Sequence, residues 1–483
     1  MSSLKQNFVY SSILTTANYI FPLITYPYVS RVLGVTNIGI CNWMDSIINY
    51  VILFSMLGIA VIGNREIASS KNDPVKLNMT FSSLFALNGI FTIVALSVLL
   101  VAIFTVPQLY AHRDLMFIGC VKVVANFLLI EWFFRGMEDF RYITRRSIVV
   151  RCLYVVAVFL FVRNEDDYII YYLLISLMFV GNAALNIFHS QHFVRYSFNH
   201  ICLKKFLKPY LIYGYYALLT SAYTSFNITF LGFVAGEVQV GFYTTATKLF
   251  TIILSFFTAV TGVILPRASS LVSEGKTGEL KSILDKSIHV LCFISIPCII
   301  MGILLADHIV NILSGKGYEG AVVPMQIAMP LIFIVGYEQI LILQGLIPCK
   351  KDKAVIKGTT IGAVVGLVLN ILLLPYLQSI GAAIVWVASE LSVLTCAHYF
   401  SRKYLHLHFP IRKFLQYLIS YIPFSGMILF ILSLHLSSFA TVTVCSLILL
   451  PYIYFLQRFL FKDPVIMNMY TSVFSLFTRK RTH

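Results

Sequence analysis

The sequence alternates about fourteen apolar stretches of membrane-spanning length with short polar gaps, and lysine and arginine concentrate in every second gap. A run of about 20 apolar residues is long enough to cross the hydrocarbon core of a bilayer as a helix. This pattern predicts an all-α polytopic membrane protein with both termini on one side. The predicted spans cover residues 8–31, 40–63, 79–106, 115–135, 147–162, 168–188, 208–234, 240–264, 287–313, 322–347, 354–375, 380–400, 412–434 and 437–460.

Composition and charge support the same class. Apolar residues make up 59% of the chain and charged residues 12%, whereas soluble domains carry about 25% charged residues. Basic residues beside short loops stay cytoplasmic during insertion, which predicts that both termini are cytoplasmic. The net charge of +16 then reflects topology and contact with an anionic leaflet, so no nucleic-acid partner is expected. All but six of the 36 lysines and arginines fall on that side; the six are Arg31, Arg113, Lys122, Arg163, Lys248 and Lys316.

Signals for metal binding, disulfides or catalysis are weak. The nine cysteines are scattered singly, without the paired spacings of disulfides or zinc sites. The acidic run at 165–167 has the composition of a solvated turn, and no nucleophile motif occurs. The first apolar run lacks a signal-peptide cleavage site. We therefore expect no metal, no cofactor and no enzymatic activity, and we expect the first span to be retained.

An internal repeat relates the two halves. RVLGVTNIG at 31–39 aligns with FVAGEVQVG at 233–241, at an offset of about 202 residues, and VIGNR at 61–65 aligns with VILPR at 263–267 in the same register. FFRG at 133–136 resembles ILQG at 342–345, with a slightly larger offset. Because each half holds an even number of predicted spans, the repeats would be parallel, as in several transporter folds.

The repeat predicts three regions. Residues 1–200 would form an N-terminal lobe of six spans, and residues 201–405 would form a second lobe of six. Residues 406–483 would carry the last two spans and a basic tail.

Polar side chains recur at helical spacing inside the first, second, seventh and eighth predicted spans. Polar side chains do not stabilise a helix that faces lipid, so these stripes are expected to face protein or water. We predict that these four spans line a water-filled cavity between the two halves; hydrogen bonding between helices is the alternative. The neutral candidates for this cavity are Asn18, Asn49, Thr244, Thr251, Tyr216, Tyr223 and Asn227.

Three cations are candidates for the same cavity. Lys248 lies one or two turns inside a predicted span, where an ammonium group is costly unless it meets an anion or water. Snorkelling of its side chain to the outer interface is the alternative. Arg31 and Lys122 are the other two candidates.

Three carboxylates inside predicted spans could couple transport to an ion. Asp45 could be a counter-ion, a proton carrier or a helix-start residue at the interface. Glu338 and Glu390 could bind protons or sodium, or they could make hydrogen bonds between helices.

Four longer motifs resemble one transporter family. The sequence contains YPYVSRVLGVTNIGI at 26–40, EWFFRGMEDF at 131–140, GEVQVGFYTTATK at 236–248 with PRAS at 266–269, and LNILLLPYLQSIGAAIVWVASE at 369–390. These motifs are similar to those of the Wzx-type flippases of O-antigen and other polysaccharide repeat units. That family belongs to the MOP superfamily, together with multidrug and toxin extrusion (MATE) transporters and lipid II flippases.

The resemblance implies a MATE-like fold of fourteen helices in a bacterial inner membrane protein that is a monomer. It implies transfer of an undecaprenyl-pyrophosphate-linked oligosaccharide from the inner to the outer leaflet, with H⁺ or Na⁺ as a possible coupling ion. A polysaccharide polymerase or glycosyltransferases would be partners. On this basis Lys248, Arg31 and Lys122 would contact the pyrophosphate. Asn18, Asn49, Tyr216, Tyr223 and Asn227 would contact the sugars.

Two other functions are compatible with the class. A MATE-like exporter of cationic drugs would need acidic rather than basic residues in its cavity. A membrane polysaccharide polymerase or ligase would be expected to have a large outer loop, and no predicted outer loop here exceeds about 15 residues.

Overall fold

The computed structural model describes residues 4–195 and 201–461, and within them the chain is helical without strands. Asp73 caps the N-terminus of the third helix, accepting hydrogen bonds from the backbone amides of Val75 and Lys76. The helices are α1 Leu4–Met56, α2 Ile59–Ser70, α3 Pro74–Thr105, α4 Pro107–Ala111, α5 Arg113–Leu128, α6 Glu131–Gly136, α7 Phe140–Phe161, α8 Tyr168–Ser190, α9 Leu203–Thr224, α10 Phe226–Ala235, α11 Glu237–Ser273, α12 Thr277–Leu304, α13 Ala306–Ser314, α14 Val322–Ala328, α15 Leu331–Gln339, α16 Asp352–Leu405, α17 Ile411–Ser420, α18 Ile422–Ser433 and α19 Ser438–Phe455.

The described residues confirm a multi-pass membrane protein. They contain nine helical segments long and apolar enough to cross a membrane, or ten if the bent pair α9–α10 counts as one span. Two of the nine, Val9–Ser70 and Asp352–Leu405, are 62 and 54 residues long, more than twice the length that one crossing needs. The predicted count of fourteen is consistent with these boundaries and stays a prediction.

Single non-helical residues interrupt the two longest helices. Gly34 breaks α1 with φ 71° and ψ 172°, and Gln378 breaks α16 with φ 50° and ψ −126°. Gly236, which the repeat aligns with Gly34, separates α10 from α11 with φ 83° and ψ 179°. The conformation of these two glycines lies in a region of backbone space that is essentially restricted to glycine. The aligned glycines therefore share one conformation, as the repeat register predicts.

The chain divides into two compact units. The first contains the described residues of Met1–Thr245, with Ser314–Gly320 and Ala363–Trp386. The second contains Ala246–Leu313, Ala321–Gly362 and the described residues of Val387–His483. Their boundaries differ from the predicted lobes 1–200 and 201–405, because residues 201–245, 314–320 and 363–386 of the predicted second lobe pack in the first unit. Those lobes stay a prediction.

Aromatic packing builds the core of the first unit. Trp132 stacks on Phe81, and Phe133 meets the same ring edge-on. All three side chains are buried, in a cluster that joins α2, α3 and α6. The same cluster includes Leu14 of α1 and Tyr210 of α9, so its burial helps to fix two of the helices that carry the polar residues described next.

Candidate functional site

A polar cavity of about 570 Å³ lies within the first unit, between α1 and the α9–α10 pair. The residues on the α1 side recur every three or four positions, so they share one helix face. They are Asn42, Asp45, Ser46, Asn49, Tyr50 and Leu53. The opposite wall is formed by Ala217, Thr220, Ser221, Ser225 and Ile228. Most of these side chains carry hydroxyl or amide groups, so the cavity offers neutral hydrogen-bond donors and acceptors.

Lys122 of α5 forms a closed cluster with Asp45 and Asn49 on this wall. Its Nζ lies 2.6 Å from Asp45 Oδ1 and donates a second hydrogen bond to Asn49 Oδ1 at 3.1 Å. Asn49 Nδ2 donates to Asp45 Oδ2 at 3.0 Å. The ring centroid of Phe179 lies 4.9 Å from Nζ. Asp45 is thus the counter-ion of Lys122, one of the three roles that the sequence left open.

The exposures within this cluster are unequal. The side chain of Lys122 is 3% exposed, whereas that of Asp45 is 27% exposed. The ammonium group is therefore enclosed while the carboxylate borders the cavity. Because the two charges cancel, the cluster presents little net charge to a ligand.

Hydrogen bonds between the walls hold the cavity open at a fixed width. Ser46 Oγ lies 2.9 Å from Thr229 Oγ1, and the Tyr50 hydroxyl donates to the backbone carbonyl of Ser221 at 2.8 Å. Both bonds join α1 to the α9–α10 pair. The cavity is therefore preformed rather than created by a ligand.

Residues at equivalent positions of the two repeats contact each other beside this cavity. Asn42 Nδ2 donates to Thr244 Oγ1 at 3.2 Å, and these two residues are 202 positions apart. A Cβ added to Gly39 would overlap the carbonyl oxygen of Glu237 and would lie 3.1 Å from the backbone nitrogen of its own equivalent, Gly241. Equivalent residues can meet only near the axis that relates the repeats. The repeat seen in the sequence therefore corresponds, at these residues, to a symmetric arrangement in the folded chain.

The three predicted cations occupy different environments. Lys122 is enclosed and paired, as described above. Arg31 is exposed on α1 and donates from Nη1 to the carbonyl of Pro27. Lys248 is half-buried on α11 and belongs to the second unit. Among the described residues, none of the three cations lines this cavity, and Lys122 reaches it only through its contacts with Asp45 and Asn49.

The neutral candidates also occupy different environments. Asn49 lines the cavity, and Thr244 is buried beside it. Asn18 is exposed on α1, and Thr251 is exposed on α11, where its hydroxyl donates to the Thr247 carbonyl. The side chains of Tyr216 and Tyr223 lie outside the described part of the structure, so their predicted contacts stay predictions.

Asn227 is fully buried and engaged with protein groups. Its Nδ2 donates to the Ala382 carbonyl at 3.3 Å, and its Oδ1 accepts a hydrogen bond from Asn370 Nδ2 at 2.8 Å. The structure does not place it on the cavity wall. This arrangement matches the alternative stated for the polar stripes, which is hydrogen bonding between helices.

Tyr50, Ser221 and Ser225 line the cavity but were not among the predicted residues. Tyr50 follows Ser46 by four positions, so the helical spacing of the second span could have identified it. Ser225 lies where the chain bends by 52° between the two helices of the α9–α10 pair. This bend shifts the cavity-facing side of the helix, and no local sequence signal gives its direction.

Two acidic residues meet inside the second unit. Glu338 of α15 and Glu390 of α16 are 8% and 4% exposed, and their carboxyl groups lie within hydrogen-bonding reach of each other. Oε2 of Glu338 is buried without a hydrogen-bond partner among the described residues. Two carboxyl groups this close in a buried site repel each other when both are charged. The described residues contain no group of three or more His, Cys, Asp and Glu arranged to hold a metal ion.

Two family models match the chain. The model described as "Polysaccharide biosynthesis protein" matches residues 4–272, more than half of the sequence. The model described as "Lipid II flippase MurJ" matches residues 169–450. The two matches overlap and together extend over most of the chain.

Similar proteins agree with these matches. A protein of Escherichia coli (strain K12) named "Putative O-antigen transporter" is 26% identical over 410 residues, covering 83% of this chain and 97% of its own length. The inward closed structure of lipid II flippase MurJ aligns with a TM-score of 0.75 at 16% identity, over 93% of this chain and 99% of that one. An inward-facing MATE family multidrug transporter aligns with a TM-score of 0.64 at 12% identity, over 82% of this chain and 98% of that one. The structural likenesses establish the predicted MATE-like membrane fold.

Proposed function

Because the chain belongs to the polysaccharide biosynthesis protein family, we propose that it is a flippase for an undecaprenyl-pyrophosphate-linked oligosaccharide. The substrate would move from the inner to the outer leaflet of the bacterial plasma membrane. The names of its relatives, which are transporters and flippases, support transport rather than catalysis as its activity.

The polar cavity of the first unit is the observation that carries this proposal. A sugar headgroup cannot cross hydrocarbon without a large cost, because its hydroxyl groups lose their hydrogen bonds to water. Hydroxyl and amide groups such as those of Ser46, Asn49 and Thr220 replace those bonds. The prenyl tail stays in the surrounding lipid, so the cavity has to accommodate only part of the headgroup at a time.

The proposed transport cycle is alternating access. Parallel repeats in transporters rock against each other around a fixed binding region. The contact between Asn42 and Thr244 joins equivalent positions of the two repeats that would move in this cycle. The basic residues of the inner loops support cytoplasmic termini. In this proposal the protein works as a monomer, and a polysaccharide polymerase or glycosyltransferases act next to it.

Lys248 and Arg31 are the proposed contacts for the pyrophosphate. Both are basic residues on helices that also carry residues in or beside the cavity, and neither is part of the Lys122–Asp45 pair. Phosphates bind guanidinium and ammonium groups through short charge-assisted hydrogen bonds. The enclosed Lys122 is more useful for holding Asp45 and Asn49 in place than for reaching a ligand.

Transfer in proteoliposomes tests the proposed function. A fluorescent undecaprenyl-pyrophosphate oligosaccharide would be followed between leaflets with wild type and with Ala217→Trp, which places an indole in the cavity. We expect the variant to lower the transfer rate at least about tenfold, since a headgroup contact worth about 1.4 kcal/mol corresponds to that factor. Ile212→Trp on the same helix is the matched control, because Ile212 is 57% exposed and lies outside the cavity.

The same assay separates the alternatives. Wild-type protein that leaves the lipid in place but exports cationic dyes would be a MATE-like exporter. Conversion of the lipid-linked sugar into a longer or transferred product would indicate a polymerase or ligase. Neutralisation of Asp45 by Lys122 argues against a cation-binding cavity in the first unit, so we expect neither result.

The Glu338–Glu390 pair is the proposed ion-coupling site. In this proposal the two carboxyl groups take up a proton or a cation together and release it when their surroundings change. With Glu338→Gln, we expect a proton or sodium gradient no longer to drive accumulation in the outer leaflet, while equilibration between leaflets without a gradient continues. Glu274→Gln is the control, since Glu274 forms an exposed pair with Lys276 in the same unit. Full gradient-driven accumulation by Glu338→Gln would contradict this assignment.

A further inference from the structure

A second cavity, of about 400 Å³, lies within the second unit among α11, α12 and the helical segment after α15. Its lining is mainly apolar, with side chains such as Phe257, Ile264 and Val290. This volume is within the range of small-molecule sites. The cavity shares no residue with the polar cavity of the first unit and is unexplained by the proposed transport path.

A π-helical turn forms one wall of this cavity. The turn spans Ile340–Leu346, directly after α15, and Ile340 and Gln344 line the cavity. A π-turn inserts an extra residue into a helix and displaces the following side chains, and such turns are frequent at functional sites. The wall is therefore shaped by an irregularity that a regular helix would lack.

Hydrogen bonds from the buried Gln344 tie the three walls together. Ser287 Oγ of α12 donates to Gln344 Oε1 at 2.8 Å, and Gln344 Nε2 donates to Thr261 Oγ1 of α11 at 3.3 Å. Gln344 is 1% exposed and Thr261 is 3% exposed. The polar groups inside the cavity thus satisfy each other, which leaves an apolar space of fixed width.

Two cationic side chains line the part of the cavity nearest the 274–276 turn. Arg267 is the lining residue of α11 nearest to that turn, and Lys286 follows Ile283, the lining residue of α12 nearest to it. Arg267 makes a 3.6 Å contact with Glu279, but both side chains are more than half exposed, so this pair is weak. The structure records no ion pair for Lys286 among residues 4–195 and 201–461. The cavity is therefore apolar along its length and cationic at one end.

The internal repeat shows how the lining of this cavity differs from the equivalent positions in the first half. The alignment of FFRG at 133–136 with ILQG at 342–345 places Glu131 and Arg135 at the positions of Ile340 and Gln344. In the first half those two residues form an ion pair at 2.6 Å. Neutral residues replace that pair in the second half, and they line a cavity there. By contrast, the residue of the first half that is equivalent to Arg267 is also basic; it is Arg65.

We propose that this cavity binds an anionic phospholipid of the inner leaflet, with the phosphate on Arg267 and Lys286 and an acyl chain along the apolar walls. An apolar cavity with two cations at one end matches the charge and shape of such a lipid. The basic loop between α11 and α12 is predicted to be cytoplasmic, and the cytoplasmic leaflet is the one rich in anionic lipid. Arginine and lysine bind phosphate through charge-assisted hydrogen bonds.

Native mass spectrometry of the full chain in detergent tests the site, with phosphatidylglycerol as the probe. We expect wild type to retain phosphatidylglycerol in preference to phosphatidylcholine. The double variant Arg267→Gln/Lys286→Gln is expected to weaken phosphatidylglycerol binding at least about tenfold, because it removes two charge-assisted contacts. Arg65→Gln/Lys76→Gln, which removes the same charge from the first half, is expected to leave binding unchanged.

A second variant tests the apolar part of the site without changing its charge. Val290→Trp fills the cavity while keeping both cations, and it is expected to weaken phosphatidylglycerol binding to a similar extent. Equal weakening by the Arg65→Gln/Lys76→Gln control would show general charge attraction and overturn the proposal. So would wild-type binding by Val290→Trp, or retention of a polyprenyl phosphate but not of phosphatidylglycerol.

Discussion

Gly39→Ala is expected to destabilise the protein by about 3 kcal/mol or more, at the upper end of the cost of overpacking. The added methyl group would overlap the carbonyl oxygen of Glu237, which belongs to the backbone of α11 and cannot rotate away. The helices that meet at the repeat axis would have to separate. Gly241→Ala is expected to have a similar effect, because its methyl group would overlap the carbonyl oxygen of Val35.

Thermal unfolding in detergent micelles measures this effect. Gly262→Ala is the matched control, since Gly262 lies within α11 and a Cβ there would meet nothing within 4 Å. Glycine inside a helix is less favourable than alanine by about 0.5–1 kcal/mol, so the control is expected to leave stability unchanged or slightly higher. Equal unfolding temperatures for Gly39→Ala and Gly262→Ala would contradict the close approach at the axis.

Asp45→Asn is expected to destabilise the protein by about 3–5 kcal/mol, because it leaves an enclosed ammonium group without its counter-ion. Lys122→Met is expected to cost less, since the carboxylate that remains is 27% exposed and can be hydrated from the cavity. The double variant should recover part of the loss. We expect a coupling free energy of about 2–3 kcal/mol between the two positions, which is the upper part of the range for residues in direct contact.

A double-mutant cycle on unfolding free energies measures this coupling. The matched control is the pair Lys276–Glu274, at 2.8 Å, whose side chains are 51% and 40% exposed. Exposed pairs contribute about 0.2–1 kcal/mol, so Lys276→Gln and Glu274→Gln should show little coupling. A coupling for Lys122 and Asp45 no larger than this control would show that the pair is not enclosed in the folded protein. Transport by the stable double variant would show that Lys122 does not bind the pyrophosphate.

Lys122 illustrates what the sequence could not supply about the site. Its position inside a predicted span marked it as unusual, and the family resemblance implied a phosphate contact. Its partner, Asp45, is 77 residues away and on a different helix. Local patterns carry no information on which distant helix packs against α5, so the pairing became visible only in the folded chain.

Asn227 illustrates a second limit. Helical spacing made it a cavity candidate in the seventh predicted span, but Thr220 of that span lines the cavity and Asn227 does not. The 52° bend between α9 and α10 ends the regular periodicity before Asn227. Spacing arguments assume a continuous helix, and they fail across a break. Asn227 instead bonds with Asn370, which is 143 residues away.

The sequence by itself determined the membrane class, the helical fold, the positions of most helices, the internal repeat and the family. These properties depend on hydropathy and periodicity over short windows, or on motifs that can be compared directly. Only the tertiary structure decided which polar side chains bind other side chains and which line a cavity. Lys122 and Asn227 belong to the first group, and Asn49 and Tyr50 line the cavity. The reason is physical, because a polar group inside a membrane protein takes its role from the partner it meets. That partner is set by contacts between residues far apart in the chain.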